Sequence, residues 1–263
     1  MKFQKLTVIG LISLLSACGG GGGSSSSEGG NTDSRAQSLS DTVDSFISQA
    51  EADVDLSPDS NLTGIWLNAW AIYGSWENNY EGTQNNGTFE TFGFDVLQVI
   101  DNGTSITVNY CEDPTEDASW IWLYNENDQL VIGDNSLDIT DNVRVDGSFN
   151  QYEFRNDYED GEYYAEEGQL KDRFIKLSED LDANIGILTQ NGSGETYDIR
   201  CAFFYSNKDI EDGEEYSSAY VYGELESGEV INASTTDEDV SISASNGTVS
   251  FSIEGESFKF EFY

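Results

Sequence analysis

Apolar residues change their spacing near position 60 of this 263-residue chain. Between residues 38 and 52 they recur at steps of three and four, which places their side chains on one face of an α-helix. The stripe consists of Leu39, Val43, Phe46, Ile47 and Ala50. Ser38 and Asp41 stand at the spacing of a capping box, so a helix is predicted to begin at Ser38. We expect this short amphipathic helix to pack on the domain that follows, with a detached helix as the alternative.

From Leu62 onward, short runs rich in valine, isoleucine, tyrosine, phenylalanine and threonine alternate apolar with polar residues. Turn dipeptides that accept positive φ separate the runs. The strongest are Asn86-Gly87, Asn102-Gly103, Asp146-Gly147, Asn191-Gly192 and Asn246-Gly247. The pattern predicts an all-β fold with about a dozen strands. Because such a sheet must close or stack to protect its edges, we expect an antiparallel up-and-down barrel or a β-sandwich.

The first 17 residues have the pattern of a secretory signal peptide. Lys2 and Lys5 precede an apolar stretch that is too short to span a bilayer. The following segment, Leu15-Ser16-Ala17-Cys18, matches the lipobox of bacterial lipoproteins position by position, and the N-terminus resembles that family. The resemblance implies cleavage before Cys18, a diacylglyceryl thioether on its sulfur and an acyl group such as palmitate on the new amino terminus. An ordinary signal peptide with a chance cysteine is the alternative.

The residues after the lipobox suggest a location and a tether. Gly19 stands where lipoproteins held at the inner membrane of enteric bacteria tend to have aspartate, so the resemblance favours the outer membrane of the cell envelope, on its periplasmic or cell-surface face. Glycine and serine dominate the next residues, which predicts a flexible coil. The predicted organisation is a signal peptide at 1–17, a lipidated tether at 18–37, a helix and turn at 38–58 and a single all-β domain at 59–263.

The charge of the chain limits its partners. Removal of the signal peptide leaves 9 basic and 50 acidic residues, a net charge of −41. Such a surface repels the phosphates of nucleic acids and anionic lipid headgroups, so nucleic acid is excluded as a partner. Cations and basic proteins remain compatible, although acidic residues spread along the whole domain are also typical of a surface that only keeps the protein soluble.

Besides Cys18, the chain contains two cysteines, Cys111 and Cys201, both within strand-like runs. An exported protein folds in an oxidising compartment, where two remaining thiols most simply pair. We therefore predict a Cys111–Cys201 disulfide. The alternative is two free, buried thiols that act as small apolar side chains.

The segment Leu62-Thr63-Gly64-Ile65-Trp66 resembles the Gly-x-Trp segment that opens lipocalins and lipocalin-like bacterial lipoproteins. In that family the tryptophan closes the floor of the barrel and the glycine allows a tight approach at the start of the first strand. The resemblance implies a lipocalin-like barrel. The alternative is a glycine followed by a core tryptophan at the start of a first strand in another β fold.

All five tryptophans lie within one quarter of the chain. They are Trp66, Trp70, Trp76, Trp120 and Trp122. The two-residue period of a strand places Trp66 and Trp70 on one face, and Trp120 and Trp122 on one face of another strand. A shared core is the first explanation. The functional alternative is an aromatic platform for a sugar ring or an apolar ligand.

The acidic sequence D-x-E-D-G-E occurs twice, at 157–162 and at 209–214. Oxygen ligands around a glycine turn are typical of calcium sites. The candidate ligands are Asp157, Asp160, Glu162 and Glu167 at the first turn, and Asp209, Asp212 and Glu214 at the second. Solvated hairpin ends are the alternative.

The absence of histidine excludes a Ser-His-Asp triad, a Cys-His pair and histidine-ligated zinc. A carboxylate pair of the glycosidase type remains, but no pair can be singled out among so many acids. The sequence therefore predicts a non-catalytic, membrane-anchored lipoprotein whose β-domain binds a small apolar ligand, a sugar or an envelope protein. A carboxylate-based glycoside-active enzyme and a structural envelope protein are the alternatives.

Overall fold

A computed structural model describes residues 34–51, 62–101, 106–111, 124–126, 129–132, 135–140, 144–146, 150–158, 161–211 and 214–263. Within them, one helix, α1 (Ser34–Glu51), precedes sixteen strands. The long strands are β1 (Gly64–Tyr80), β2 (Thr83–Asp101), β9 (Tyr163–Ser178), β11 (Glu195–Glu211) and β12 (Glu214–Leu225). The short strands are β3 (Ile106–Tyr110), β4 (Tyr124–Glu126), β5 (Gln129–Ile132), β6 (Asn135–Thr140), β7 (Arg144–Asp146), β8 (Asn150–Asp157), β10 (Gly186–Gln190), β13 (Val230–Ser234), β14 (Ser241–Ser245), β15 (Thr248–Ile253) and β16 (Glu256–Phe262). The predicted antiparallel all-β class is confirmed.

The β1–β2 hairpin lies at the centre of the sheet. β9 pairs with the free side of β1, and β11 pairs with the free side of β2. β8 and β12 flank these partners, so the order across this region is β8-β9-β1-β2-β11-β12. The chain of paired strands has two ends, at β14 and at β4, so the sheet formed by the described strands is not closed. The described strands therefore form a barrel-like or sandwich-like β fold.

The helix packs on one face of this sheet. Val43, Phe46, Ile47 and Ala50 of the predicted stripe are fully buried. The ring of Phe46 lies 5.1 Å from that of Phe92, between ring centroids, and contributes to a cluster of aromatic rings. The expectation that the helix packs on the β-domain is confirmed, because the buried stripe belongs to one apolar cluster with residues of the strands.

Polar contacts fix the orientation of the helix. Asp44 Oδ1 lies 2.8 Å from both Lys171 Nζ and Arg173 Nη1 on β9. Burial on its own raises the pKa of the Asp44 carboxyl, but hydrogen bonds and charges of the two basic groups outweigh it and hold the pKa below its ordinary value. On the other side of the helix, the N–H of Gly247 donates to Ser45 Oγ at 3.1 Å. The turn between β14 and β15 thus contacts the helix.

The predicted start of the helix is wrong. α1 begins at Ser34, one turn before Ser38, so four residues assigned to the tether are helical. Ser38 lies inside the helix, where its carbonyl accepts a hydrogen bond from Thr42 Oγ1 at 3.0 Å, and it caps nothing. Arg35, Ala36 and Gln37 favour helix, which explains the extension. Within the described ranges, no helix is long and apolar enough to cross a bilayer.

The turn signals had mixed outcomes. Asn191-Gly192 and Asn246-Gly247 lie at hairpin turns as predicted. Asn86-Gly87 does not: it lies inside β2, and the hairpin turns instead at Glu81-Gly82, with φ values of 50° and 75°. Asn86-Gly87 and Glu81-Gly82 both end in glycine, so the residue types do not distinguish them. With the turn at Glu81-Gly82, the whole of β1 pairs with β2. Asn102-Gly103 and Gly147 lie outside the described residues, whereas Asp146 ends β7.

The predicted Cys111–Cys201 disulfide is formed. It joins the residue after β3 to β11, with a Cα–Cα distance of 5.5 Å across 90 residues of sequence. Both cysteines are buried and belong to the same apolar core as the helix stripe. The backbone N–H of Cys111 also donates to the carbonyl of Val96 at 3.2 Å. The disulfide therefore holds the end of β3 against the central strands.

Candidate functional site

Residues of β1 alternate between the two faces of the sheet. Ala69 and Ala71 join the core beneath α1. Trp66, Trp70 and Trp76 have the opposite parity and share the other face. We call this surface, opposite α1, the aromatic face.

On the aromatic face, three aromatic rings lie over glycines of the neighbouring strand. The pairs are Trp70 with Gly93, Phe89 with Gly74 and Trp76 with Gly87. A Cβ atom on Gly74 would stand 2.7 Å from Phe89 Cζ, and one on Gly87 would stand 2.7 Å from Trp76 Cε2. Because a ring can occupy that position only if the opposite residue has no side chain, the glycines allow the rings to lie along the sheet.

An open groove of about 510 Å³ crosses the aromatic face near the tips of the long hairpins. Its aromatic lining residues are Trp76, Phe89, Tyr164 and Tyr216. Its polar lining residues are Asn78, Glu166, Asn207, Asp209 and Glu211. Five strands contribute to it, so the groove exists only once β9, β1, β2, β11 and β12 have paired.

Strand register places a carboxylate beside each of the two flat rings. Trp76 on β1 is directly opposite Glu166 on β9. Phe89 on β2 is directly opposite Asp209 on β11. Glu211 lies beyond Gly87, on the far side of Trp76 from Glu166. Three strand spacings separate the backbones of Glu166 and Glu211, which is about 14 Å.

Hydrogen bonds hold the polar groups of the groove in place. Tyr164 donates its hydroxyl hydrogen to Glu166 Oε2 at 2.8 Å. Asn207 donates from Nδ2 to Asp209 Oδ2 at 2.6 Å, and Thr91 Oγ1 donates to Asn207 Oδ1 at 2.7 Å. Burial, followed by the hydrogen bond to Glu166, raises the pKa of the Tyr164 hydroxyl, which therefore stays protonated as a donor. The site combines flat apolar surfaces with fixed carboxylates.

Two aspartates lie on the aromatic face beyond the groove, toward the start of β1. Trp70 Nε1 donates to Asp95 Oδ2 at 2.9 Å, and Asn68 Nδ2 lies 3.5 Å from Asp172 Oδ1. Burial raises the pKa of Asp95 to about 6, against the effect of the bond from Trp70. Burial, with a smaller contribution from the charge of Asp95, raises the pKa of Asp172 to about 7. Both carboxyls therefore titrate near neutral pH.

Comparisons with known proteins add no identity. No protein-family model matches the chain, and no curated protein matches it. A crystal structure of a Nitrosomonas europaea protein described as an AttH is similar over 74% of this chain and 92% of that one, at 10% identity and a TM-score of 0.16. Similarity at that level carries no argument about fold or function.

The five tryptophans singled out from the sequence have different environments. Trp66 is only 4% exposed and donates from Nε1 to the carbonyl of Leu62 at 2.9 Å, so it is a core residue. The backbone of Ser178 and the side chain of Lys176 approach Gly64 closely, in agreement with the predicted tight start of β1. Trp70 donates a hydrogen bond to Asp95, and of the three described tryptophans only Trp76 lines the groove. Trp120 and Trp122 lie outside the described residues.

The described candidate calcium ligands do not converge. At the first turn, Asp157 pairs with Arg155 at 2.9 Å, and Glu162 accepts a hydrogen bond from the N–H of Glu81 at 3.0 Å. Glu167 lies on the opposite face of β9 from Glu166. Within the described ranges, no three acidic, cysteine or histidine side chains are placed to hold a metal ion.

At the second acidic turn, Asp209 and Glu211 belong to β11, so the predicted turn begins too early. Asp209 lines the groove, whereas Glu214 accepts a hydrogen bond from Tyr216 at 3.0 Å. The end of β11 could not be recognised from the sequence, because acidic residues are found both on solvated strand faces and in turns. Asp160 and Asp212 lie outside the described residues, so a calcium site that includes them stays a prediction.

Sequence reasoning missed most of the groove. The residues that it did not identify are Asn78, Phe89, Tyr164, Glu166, Asn207, Glu211 and Tyr216. The only signal in the sequence was a glycine within each of several aromatic strand-like runs. That signal becomes specific only when the cross-strand partners are known.

Proposed function

We propose that the protein is an exported, lipid-anchored lipoprotein whose β-domain binds a saccharide in the groove of the aromatic face. The observation that carries this proposal is the placement of the Trp76 and Phe89 rings over Gly87 and Gly74. A sugar ring presents C–H groups on its faces and hydroxyl groups at its edge. Flat aromatic rings with carboxylates and amides beside them complement both parts of such a ligand.

The other face of the sheet supports this choice of site. An apolar ligand in the interior of a lipocalin-like barrel requires an open cavity. The described side chains beneath α1 instead form one apolar cluster, in which Val43, Phe46 and Ile47 are fully buried. A small apolar ligand inside the domain is therefore disfavoured relative to a ligand on the aromatic face.

The lipid anchor rests on the sequence of the N-terminus. Cys18 lies outside the described residues, and its lipobox with the preceding apolar stretch supports acylation and attachment to the outer membrane. Because α1 begins at Ser34, about fifteen glycine-rich and serine-rich residues remain as a tether. A flexible coil of that length spans roughly 20 Å. This separation would hold the groove beside the envelope surface.

Sugar binding is tested with purified mature protein and a panel of oligosaccharides, monitored by tryptophan emission and titration calorimetry. At least one sugar is expected to bind, and Trp76→Ala is expected to weaken its affinity by at least tenfold. Tyr80→Ala is the matched control, because Tyr80 is 61% exposed and is not among the residues that line the groove. No response across the panel, or an equal loss in both variants, contradicts the proposal.

The anchor is tested independently of sugar binding. Native protein should carry acyl groups on Cys18 by mass spectrometry and should fractionate with the outer membrane. Cys18→Ser is expected to release a soluble or unprocessed form. An unmodified amino terminus on the native material would show that the protein is not a lipoprotein.

Hydrolysis is the alternative activity, because three carboxylates line the groove. Glycosidases place two carboxyl groups roughly 5 to 10 Å apart on either side of the scissile bond. Asp209 and Glu211 lie two residues apart on one face of β11, about 7 Å apart at the backbone, so their separation alone is compatible with cleavage. We expect binding without cleavage because both carboxylates project from one strand, whereas a glycosidase pair flanks the scissile bond. Release of new reducing ends from a bound sugar would support the enzyme instead.

A further inference from the structure

We infer that the saccharide is cationic: the groove selects sugars that carry free amino groups over the same sugars in acetylated, neutral form. This inference rests on the proposed sugar binding and specifies its ligand class. It is carried by the signs of the charges that line the groove and by their register with the flat rings.

Every charged side chain that the described residues contribute to the groove is negative. These side chains are Glu166, Asp209 and Glu211. A neutral ligand that covered them would remove water from three carboxylates and supply no opposite charge, which costs free energy. A ligand with ammonium groups replaces the lost hydration with charge-assisted hydrogen bonds. The groove therefore favours a positively charged ligand.

Four basic residues of β9 and β11 lie away from the groove. Lys171 and Arg173 have the parity of the α1 face, where both contact Asp44. Lys208 likewise points away from the groove and pairs with Glu215 at 2.9 Å. Lys176 has the parity of the aromatic face, but it is only 2% exposed and lies opposite Trp66 at the other end of the strands. Among the described residues, the protein thus keeps these cations out of the groove.

The strand register indicates a second property of the ligand: it contains consecutive sugar rings, and each ring carries one positive charge. Trp76 is paired across strands with Glu166, and Phe89 is paired with Asp209. Directly opposed residues stand about 5 Å apart at the backbone, so each ring has a carboxylate at its edge. Because Phe89 is diagonal to Trp76 across the β1–β2 ladder, the two units are adjacent. Two consecutive amino-sugar rings fit this arrangement, each stacked on an aromatic ring with its ammonium group toward a carboxylate.

Hydrogen bonds fix the orientation of the two carboxylates that would face the ammonium groups, those of Glu166 and Asp209. Tyr164 donates to one oxygen of Glu166 and Asn207 donates to one oxygen of Asp209. Both donors are neutral groups, so these two hydrogen bonds fix the orientation of the carboxylates without forming an ion pair. A preorganised acceptor of this kind loses little entropy when an ammonium group binds.

The test compares a β-1,4-linked glucosamine tetramer with its fully N-acetylated counterpart, by calorimetry on wild-type mature protein at pH 6. The two sugars share rings and linkages and differ mainly in charge. We expect the glucosamine tetramer to bind at least tenfold more tightly at low ionic strength. Most of that preference should disappear in 0.5 M salt, because ionic screening weakens exposed charge pairs.

Variants assign the preference to the groove. Glu166→Gln and Asp209→Asn are each expected to reduce the preference for the glucosamine tetramer over the acetylated tetramer severalfold. Glu238→Gln makes the same change of net charge at an exposed position in the loop between β13 and β14 and should leave the preference intact. A loss as large in Glu238→Gln as in the groove variants would overturn the inference in favour of attraction by net charge alone.

The remaining outcomes separate the inference from the proposed function. Equal affinity for both tetramers would overturn the cationic preference and leave sugar binding in place. Failure of every sugar, charged or neutral, would overturn both. Equally tight binding of glucosamine monomer and tetramer would overturn the two-ring arrangement. The wild-type comparison of the two sugars decides the inference even if a variant folds poorly.

Discussion

At the residue scale, the informative feature is the pairing of glycine with an aromatic ring. Gly87 follows Asn86, and the two together have the sequence of a hairpin turn. In the structure, Gly87 instead provides room for the ring of Trp76. The same residue type serves both purposes because each requires the absence of a side chain. Sequence alone does not distinguish them, and for this reason the turn was placed wrongly.

Substitution of Gly87 should destabilise the protein. A Cβ atom there would stand 2.7 Å from the Trp76 ring and 2.6 Å from the carbonyl oxygen of Ile210, so Gly87→Ala must displace a ring and a paired strand. We expect a loss of about 1 to 3 kcal/mol in the free energy of unfolding, measured in urea. Gly192→Ala is the control, because nothing lies within 4 Å of its Cβ position. Similar stability of the two variants would show that the ring does not lie over Gly87.

A second residue-scale prediction concerns pH. The pKa of Asp172 in the folded protein is raised from 3.8 to about 7, so between these pH values the folded state holds a proton that the unfolded chain has lost. This contribution to stability is complete below about pH 4 and is lost as the pH rises through 7. Asp95, with a pKa of about 6, acts in the same direction.

Asp172→Asn should therefore stabilise the protein more at pH 8 than at pH 5, with a difference on the order of 3 kcal/mol between the two pH values. Chemical unfolding at the two pH values measures the difference. Asp237→Asn, at an exposed position, should leave the pH dependence unchanged. An equal effect of Asp172→Asn at both pH values would contradict the raised pKa.

At the scale of elements, the sequence was most informative where the pattern of side chains is local. The apolar stripe of α1 depends on residues three and four apart and was predicted correctly. Its first turn was missed because the residues before Ser38 were assigned to the tether on composition. Strands near the C-terminus, such as β14, β15 and β16, were also evident, since alternation and short turns occur there in continuous sequence.

The contribution of α1 can be measured with one variant. Phe46 is fully buried and its ring contacts those of Phe92 and Phe94, so Phe46→Ala should lower the free energy of unfolding by about 3 to 5 kcal/mol. Ser38→Ala is the control. If Ser38 lies within the helix, alanine should be neutral or slightly stabilising. A loss of about 1 kcal/mol in that control would indicate that Ser38 is a helix cap after all.

At the scale of the whole molecule, the disulfide links distant parts of the chain. Because Cys111 and Cys201 are 90 residues apart, the bond restricts a large loop in the unfolded state. We expect its reduction to lower the free energy of unfolding by about 4 kcal/mol. Urea unfolding with and without reductant, alongside a count of free thiols in denatured protein, measures this effect. The double variant Cys111→Ala, Cys201→Ala should be insensitive to reductant.

The groove is also a feature of the whole molecule, because residues from five strands line it. For this reason the sequence did not reveal it. Trp76 was singled out as one of five tryptophans, but Glu166 and Asp209, which stand beside the two flat rings, come from strands far along the chain. Their selection depends on the register of β9 and β11 with the central hairpin. A one-residue shift would move each of these side chains to the other face. Local pattern predicts that strands exist, whereas the site requires their order and register.

The same long-range pairing affects how the chain is made. The central hairpin can close as soon as β2 is complete, yet the partners of its two sides are much later in the chain: Asn68 contacts Asp172, 104 residues on, and Thr91 contacts Asn207, 116 residues on. At a synthesis rate of about 5 to 20 residues per second, both edges stay uncovered for on the order of ten seconds. Uncovered edges of this length pair readily with other molecules. The refolding yield of the protein is therefore expected to fall steeply as its concentration rises.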